Sequence, residues 1–177
     1  MFDTFPDIIN TAKGLTSGYQ PMSATILSEE IHDVISGPGG MVLHGMTYSG
    51  HPAAAAAALT NIATMEREGI PERVRSTGAY FKRKLRGLMD LELVGEVRGS
   101  HFMIGLEFVR DRATKTSHPA EAEVGLKVAS ACQRPGLIAL ALGNVLILSP
   151  TLIMDEAMID EIEAILRAAI TEVAVGL

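Results

Sequence analysis

The C-terminal part of the chain has the clearest pattern of apolar and polar positions. Apolar runs at residues 137–142 and 145–148 flank Gly143-Asn144, a dipeptide typical of a tight β-hairpin turn. After Asp155, a residue suited to cap a helix N-terminus, apolar residues recur every three or four positions. This stripe consists of Ile159, Ile162, Ile165, Leu166, Ile170 and Val173. The pattern predicts a strand hairpin followed by a long amphipathic helix.

The segment before this hairpin predicts two more strands and a helix. Residues 91–99 and 101–109 have strand character and surround a turn at Arg98-Gly99-Ser100. The helix is expected over residues 120–133, with Val124, Val128 and Ala131 along one side. Residues from about 92 onward are therefore expected to form a compact α+β unit with an antiparallel sheet.

The sequence of the first half of the chain predicts two short strands and two helices. A short strand is expected just before Lys13 and another within residues 22–31. One helix should begin at Pro52 and end near Gly69, since proline favours a first helical turn and glycine a helix end. A second helix should run from Pro71 to about Met89. We expect two domains. Residues 1–90 would form one, which resembles a piece of a larger domain, and residues 91–177 would form the other.

Composition and charge favour a globular protein with a buried core over a nucleic-acid-binding or membrane-spanning protein. Hydrophobic residues make up 47% of the 177 residues, which is enough for a buried core. The net charge of -6 argues against nucleic-acid binding. The most apolar stretch has 13 residues, too few to cross a bilayer, and no signal peptide follows Met1. With a single cysteine, Cys132, the chain forms no internal disulfide, so we expect a cytoplasmic protein. We also expect no metal site.

The stretch INTAKGLTSGYQPMSA, residues 9–24, contains one lysine among small residues. Lys13 stands between Ala12 and Gly14, without the charged neighbours that a solubilising lysine usually has. Small neighbours leave room for a group other than protein to approach the amine. Lys13 is therefore a candidate for covalent chemistry, and an exposed loop charge is the alternative.

A second polar loop, HGMTYSGHP at residues 44–52, directly precedes the alanine-rich helix. Thr47, Ser49 and His51 lie where free backbone N–H groups and the helix dipole favour an anion such as a phosphate. The same loop is also explained as a polar cap, with Ser49 or His51 as the capping residue. Taken alone, the capping interpretation is favoured.

In series, these motifs resemble the class III aminotransferases, which depend on pyridoxal phosphate (PLP), and specifically their omega-amino acid and amine:pyruvate branch. DIINTAKGLTSGYQPMSA is followed by HGMTYSGHPAAAAAAL and then by VGEVRG and GLEFVRD, in the order and spacing of that family. The resemblance implies an α/β protein of PLP-dependent transferase fold type I. Residues 1–90 would belong to the large PLP-binding domain and residues 91–177 would be the small C-terminal α+β domain.

The resemblance also implies site residues and partners. Lys13 would bind PLP covalently and then shuttle a proton. Thr47 would reach across a homodimer interface to the phosphate of the partner's cofactor, and Met46 would contribute through its backbone. The substrates would be an amine or omega-amino acid as donor and a keto acid or aldehyde as acceptor.

Two departures from the family pattern limit these implications. Leu140 occupies the place of the family arginine that binds a substrate carboxylate, and no arginine lies between Pro135 and Asp155. The aspartate that pairs with the pyridine nitrogen, the Gly-Ser phosphate loop and the aromatic stacking residue are also missing. We therefore expect the C-terminal portion of an aminotransferase, through truncation, a split gene or an internal start, which would be inactive alone.

Two other functions stay open. The first is a different reaction of the same class, such as that of a mutase, racemase or decarboxylase. The second is a chain without activity that serves as a dimerising module and retains Lys13 as a relic.

Overall fold

The computed structural model describes residues 4–177 and divides the chain into two compact units. One unit extends to Gly69 and the other comprises Ile70–Leu177. Among the helices of the described range, none is both long enough and apolar enough to span a membrane.

The first unit contains a two-stranded sheet and two helices. Strands β1 (Ile8–Ala12) and β2 (Ser23–Leu27) pair antiparallel. Helix α1 spans Glu29–Ser36 and helix α2 spans Pro52–Arg67. The two predicted strands and the predicted helix from Pro52 are thus confirmed.

Helix α1 was not predicted from the sequence, because strand character dominates the start of residues 22–31. The side chain of Ser28 ends the strand character by accepting a hydrogen bond from the Ile31 N–H, as an N-cap does. Glu29 and Glu30 then occupy the first turn, where negative charge favours the helix dipole. A local capping signal therefore converts the end of the predicted segment into a helix.

The second unit is an antiparallel sheet packed against three helices. Its elements are α3 (Ile70–Arg86), β3 (Val94–Ser100), β4 (Met103–Asp111), β5 (Thr116–Ser117), α4 (Val124–Gln133), β6 (Leu140–Leu142), β7 (Val145–Leu148) and α5 (Glu156–Val175). The strands are ordered β3-β4-β7-β6, and β5 pairs with β4. The predicted α+β character and antiparallel sheet are confirmed.

Of the two hairpin turns predicted in this sheet, one is confirmed and one is wrong. Leu142 pairs with Val145, so Gly143-Asn144 forms the turn as expected. In the other hairpin the expected turn at Arg98-Gly99-Ser100 is wrong, because Ser100 still pairs with Met103. The turn lies at His101-Phe102 instead.

Phe102 explains this shift of the turn. Its side chain is buried, and its ring meets the ring of Phe81 edge to face at a centroid distance of 5.9 Å. His101 takes a left-handed backbone conformation, with φ at 53°, to place Phe102 there. Burial of an aromatic ring therefore outweighs the local preference for a turn at Gly99.

Helix α3 belongs to the second of the two compact units, which begins at Ile70. Phe81 and Leu85 of α3 are fully buried in the core that the sheet and α5 share. Gly69, the residue before α3, has a left-handed φ of 59°. This conformation, which glycine adopts readily, separates α3 from α2. Helix α3 therefore packs with the elements that follow it in the chain.

The remaining helices use the predicted faces. Val124, Val128 and Ala131 of α4 are buried, and Ile159, Leu166 and Ile170 of α5 are buried in the same core. Asp155 caps α5 by accepting a hydrogen bond from the Met158 N–H at 2.9 Å. These predictions of helix face and cap are confirmed.

Cys132 lies on the buried side of α4. Its side chain is fully buried, and this burial raises the pKa of the thiol to about 11. Cys132 is therefore a packed thiol.

We predict that Gly78→Ala destabilises the second unit. A Cβ at this buried position of α3 would lie 2.6 Å from the Cα of His101. We expect a loss of about 1–3 kcal/mol from overpacking, even though alanine favours a helix by about 1 kcal/mol over glycine. Urea denaturation measures the change, with the exposed Ser76→Ala on the same helix as control. Unchanged or increased stability of Gly78→Ala would contradict the close packing.

Candidate functional site

Lys13 is the first residue of a 3₁₀ turn, Lys13–Thr16, that directly follows β1. Its φ of 51° lies in the left-handed region, which is uncommon for a residue with a side chain. The side chain is exposed, and within residues 4–177 its amine forms no hydrogen bond or ion pair. Next to it, a Cβ on Gly14 would meet no atom within 4 Å. Within the described residues the amine is thus unengaged, and the backbone next to it has open space at Gly14.

The residues after Lys13 hold the turn from within. The Ser17 N–H donates to the Gly14 carbonyl at 3.2 Å. The Thr16 side chain is buried, and its hydroxyl donates to the Gln20 carbonyl at 2.6 Å. Ser17 also has a left-handed φ of 53°, so the turn is strained at its exit as well as at Lys13.

Asn61 on helix α2 holds the same turn from outside. Its side-chain nitrogen donates to the Gly14 carbonyl at 2.9 Å and to the Leu15 carbonyl at 3.1 Å. The sequence reasoning missed this residue, because its partners lie 47 and 46 positions earlier and no local spacing connects them. The one available signal was a polar amide on a helix that otherwise buries small residues such as Ala58.

The loop before α2 closes on itself through Met46 and Ser49. The Met46 N–H donates to the Ser49 hydroxyl at 3.1 Å, and the Ser49 N–H donates to the Met46 carbonyl at 2.9 Å. Thr47 and Tyr48 lie between them and are exposed. Within the described residues the Thr47 side chain forms no hydrogen bond, so its hydroxyl can bind a ligand.

His51 is the cap of α2. Its Nδ1 accepts a hydrogen bond from the Ala54 N–H at 3.4 Å, and Pro52 is the first helical residue. The capping interpretation is therefore confirmed for His51, while Ser49 closes the preceding turn instead. Tyr19, six residues after Lys13, is 82% exposed.

Two cavities of the first unit lie near these loops. One, of about 430 Å³, is lined by residues that include Met22, Ser23, Met46, Tyr48, His51 and Ala54. The other, of about 640 Å³, is lined by residues that include Tyr19, Gln20, Ala57, Thr60, Asn61 and Thr64. Neither Lys13 nor Thr47 lines either of these cavities. The structure thus places Met46 at a cavity but brings Lys13 and Thr47 into neither.

Leu140, in the second unit, begins β6 opposite Ile147 and is 64% exposed. It borders an apolar cavity of about 420 Å³, whose other lining residues include Phe81, Leu137, Ile138, Ile147 and Ile162. Every lining residue of this cavity is uncharged. A leucine here offers no donor that could pair with a carboxylate.

Comparison with known proteins identifies similar sequences and structures over nearly the whole chain. A family model described as aminotransferase class-III matches residues 1–170. The putrescine–pyruvate aminotransferase of Pseudomonas aeruginosa is 41% identical over 170 residues, which cover 96% of this chain and 37% of that protein.

Solved structures give the same result. A transaminase from directed evolution by ancestral reconstruction has a TM-score of 0.95 at 42% identity, covering 99% of this chain and 40% of that one. A PLP-bound amine transaminase from an uncultivated Pseudomonas species has a TM-score of 0.90 at 37% identity, covering 94% and 38%. The chain therefore spans less than half the length of these relatives.

We predict that His51→Ala loosens the first turn of α2. Loss of the Nδ1 acceptor leaves the Ala54 N–H without its partner, which costs about 1 kcal/mol for a helix cap. Hydrogen exchange at the Ala54 amide should become faster. His51→Asn retains a side-chain acceptor and should exchange at nearly the original rate. If His51→Ala leaves the Ala54 amide equally protected, the cap does not stabilise this helix.

Proposed function

The chain belongs to the class-III aminotransferase family, and on that premise we propose that it carries the covalent cofactor anchor of a PLP-dependent aminotransferase. The reaction would move an amino group from an amine or omega-amino acid to a keto-acid or aldehyde acceptor. The observation that carries the proposal is Lys13, an exposed amine that no described residue engages, held in a strained turn. The motif resemblance assigns this residue the role of the family's lysine.

The fold supports this assignment. The predicted class, PLP-dependent transferase fold type I, is confirmed by the TM-scores of 0.95 and 0.90 with transaminases. The domain assignment remains a proposal: the unit that ends at Gly69 would be part of the large PLP-binding domain. The unit Ile70–Leu177 would be the small C-terminal domain together with α3.

The described residues of the candidate site fit PLP at its aldehyde and at its phosphate. Lys13 supplies an amine with no competing partner in the described residues, and the open side of Gly14 leaves space beside it. Thr47 supplies an exposed hydroxyl for a phosphate oxygen. When bound at Lys13, PLP supplies the electron sink that lets an amino group leave one carbon and join another.

In this proposal Lys13 and Thr47 have separate tasks. Lys13 Nζ must lose its proton before it can attack an aldehyde, and afterwards it can take up and return a proton at the same atom. Thr47 would donate its hydroxyl to a phosphate and so would help to orient the cofactor held by the other copy of the chain. The Met46 N–H is bonded to the Ser49 hydroxyl, so that bond must open before Met46 can donate to a phosphate.

We also propose a homodimer in which Thr47 serves the partner's cofactor. Thr47 and Lys13 share neither of the two cavities near these loops, which is compatible with their acting on different copies of the cofactor. Met46 and Tyr48, on either side of Thr47, are 70% and 80% exposed, and such apolar exposure is typical of a contact surface.

Substrate recognition should differ from the usual family route at Leu140. This position offers an apolar side chain beside an uncharged cavity, where an arginine would pair with a carboxylate through two hydrogen bonds. We therefore propose that a substrate carboxylate, where there is one, is not bound at this place in the fold. The donor and acceptor themselves are small molecules of the amine and keto-acid or aldehyde classes.

We propose a cytoplasmic location. The one cysteine of the chain, Cys132, is a buried free thiol. Absence of an internal disulfide fits a reducing compartment.

The alternative functions are distinguished by simple assays. A mutase, racemase or decarboxylase would keep the same lysine but would not release a carbonyl product from an amine donor when no acceptor is added. A non-catalytic dimerising module would not retain PLP at all. The names of the relatives above favour transamination.

We predict that borohydride reduction of the purified protein with PLP fixes the cofactor on Lys13. Two of the other lysines are engaged: Lys82 donates to the Gly99 carbonyl and Lys84 pairs with Asp160. Peptide mapping by mass spectrometry locates the label, and Lys13→Ala should abolish it. Label on Lys82, Lys84, Lys115 or Lys127 instead would overturn the proposal.

We predict that Thr47→Ala weakens PLP retention. Loss of a hydrogen bond to a charged phosphate should cost on the order of 1–3 kcal/mol. Equilibrium dialysis against PLP measures the change, and Thr47→Ser, which keeps the hydroxyl, is the matched control. An unchanged affinity for PLP in a Thr47→Ala protein that still dimerises would return this loop to a purely structural role.

A further inference from the structure

The middle of α2 is joined to the Lys13 turn by one side chain. Both amide hydrogens of Asn61 Nδ2 are used, one on the Gly14 carbonyl at 2.9 Å and one on the Leu15 carbonyl at 3.1 Å. These carbonyls belong to the two residues that directly follow Lys13. No role for Asn61 follows from the motifs that identify the family.

The chemistry of this contact requires an amide nitrogen. Both partners are carbonyl oxygens, which only accept hydrogen bonds, and the side-chain nitrogen of asparagine carries two hydrogens. A carboxylate oxygen in the place of Asn61 Nδ2 would lie beside two carbonyl oxygens and could donate a hydrogen bond to neither. An aspartate at position 61 would therefore match the size of asparagine and reverse the interaction.

The turn needs such support because it is strained. Lys13 and Ser17 have φ values of 51° and 53°, where a side chain is disfavoured. Conformations of this kind persist where surrounding contacts determine them, and they cluster at functional sites. Fixing the Gly14 and Leu15 carbonyls fixes the Gly14–Leu15 and Leu15–Thr16 peptide planes, and so restricts the backbone conformations open to Lys13 and the directions in which its side chain can leave the backbone.

We propose that Asn61 is a positioning residue for Lys13: its amide holds the strained turn so that the amine points to the cofactor. This inference rests on the proposed function of Lys13. Asn61 acts through the backbone of the turn and does not itself supply a group to the reaction.

The first measurement needs no cofactor. Hydrogen exchange of the purified protein without PLP should become faster at the Ser17 amide in Asn61→Ala, since that amide donates to the same Gly14 carbonyl. The Ala54 amide, capped by His51 at the start of α2, reports whether the helix is still folded. Thr60→Ala is the matched control, because in residues 4–177 the Thr60 hydroxyl bonds only within α2, to the Ala56 carbonyl.

The second measurement is the rate at which PLP and borohydride label Lys13, relative to the exposed Lys127. We expect this ratio to fall by about tenfold in Asn61→Ala, as for the loss of two hydrogen bonds, and further in Asn61→Asp. Thr60→Ala should keep the original ratio. A merely structural role would lower overall stability without changing the preference for Lys13 in the folded protein.

The outcomes separate the two proposals. Equal Lys13 selectivity in the original protein and in Asn61→Ala, with Ala54 still protected, overturns the role of Asn61 and leaves that of Lys13 intact. Absence of label on Lys13 in the original protein overturns the proposed function and the positioning role with it. Should Asn61→Ala also lose protection at Ala54, the isosteric Asn61→Asp is judged by the same criteria.

Discussion

The candidate site depends on the contact between helix α2 and the 3₁₀ turn that carries Lys13. A left-handed lysine is disfavoured, so the turn keeps its shape only where other groups hold it. Thr16 does so from within the turn and Asn61 from the helix. The same helix begins at the cap formed by His51, directly after the loop of Thr47. One helix therefore contacts both loops that the family resemblance singles out.

The second unit is organised by a different constraint, the burial of aromatic and aliphatic side chains between the sheet and its helices. Phe81 of α3 meets Phe102 of the β3–β4 hairpin, and Gly78 lets the hairpin backbone approach the helix closely. These contacts tie α3 to the sheet and place the unit's start at Ile70. At the edge of the sheet, β6 presents Leu140 beside a cavity lined by uncharged residues, so this part of the surface is apolar.

The division of labour between scaffold and loops follows from these two constraints. Regular elements bury the apolar residues, while Lys13 and Thr47 lie exposed on short turns at the ends of β1 and before α2. Exposed turns can offer unengaged polar groups, since their side chains are not needed for packing. This placement strains the backbone at Lys13, and the hydrogen bonds from Asn61 of α2 offset that strain.

The sequence by itself determined those features that depend on neighbouring residues: the Gly143-Asn144 hairpin, the Asp155 cap, the buried stripe of α5 and, through its motifs, the family. It also drew attention to Lys13, because small residues surround it in the chain itself. Only the tertiary structure decided the turn at His101-Phe102 and the contact of Asn61 with the Lys13 turn. Each depends on a partner far away in sequence, Phe81 in one case and the Gly14 carbonyl in the other. Local patterns carry no information about such partners, since folding alone brings them together.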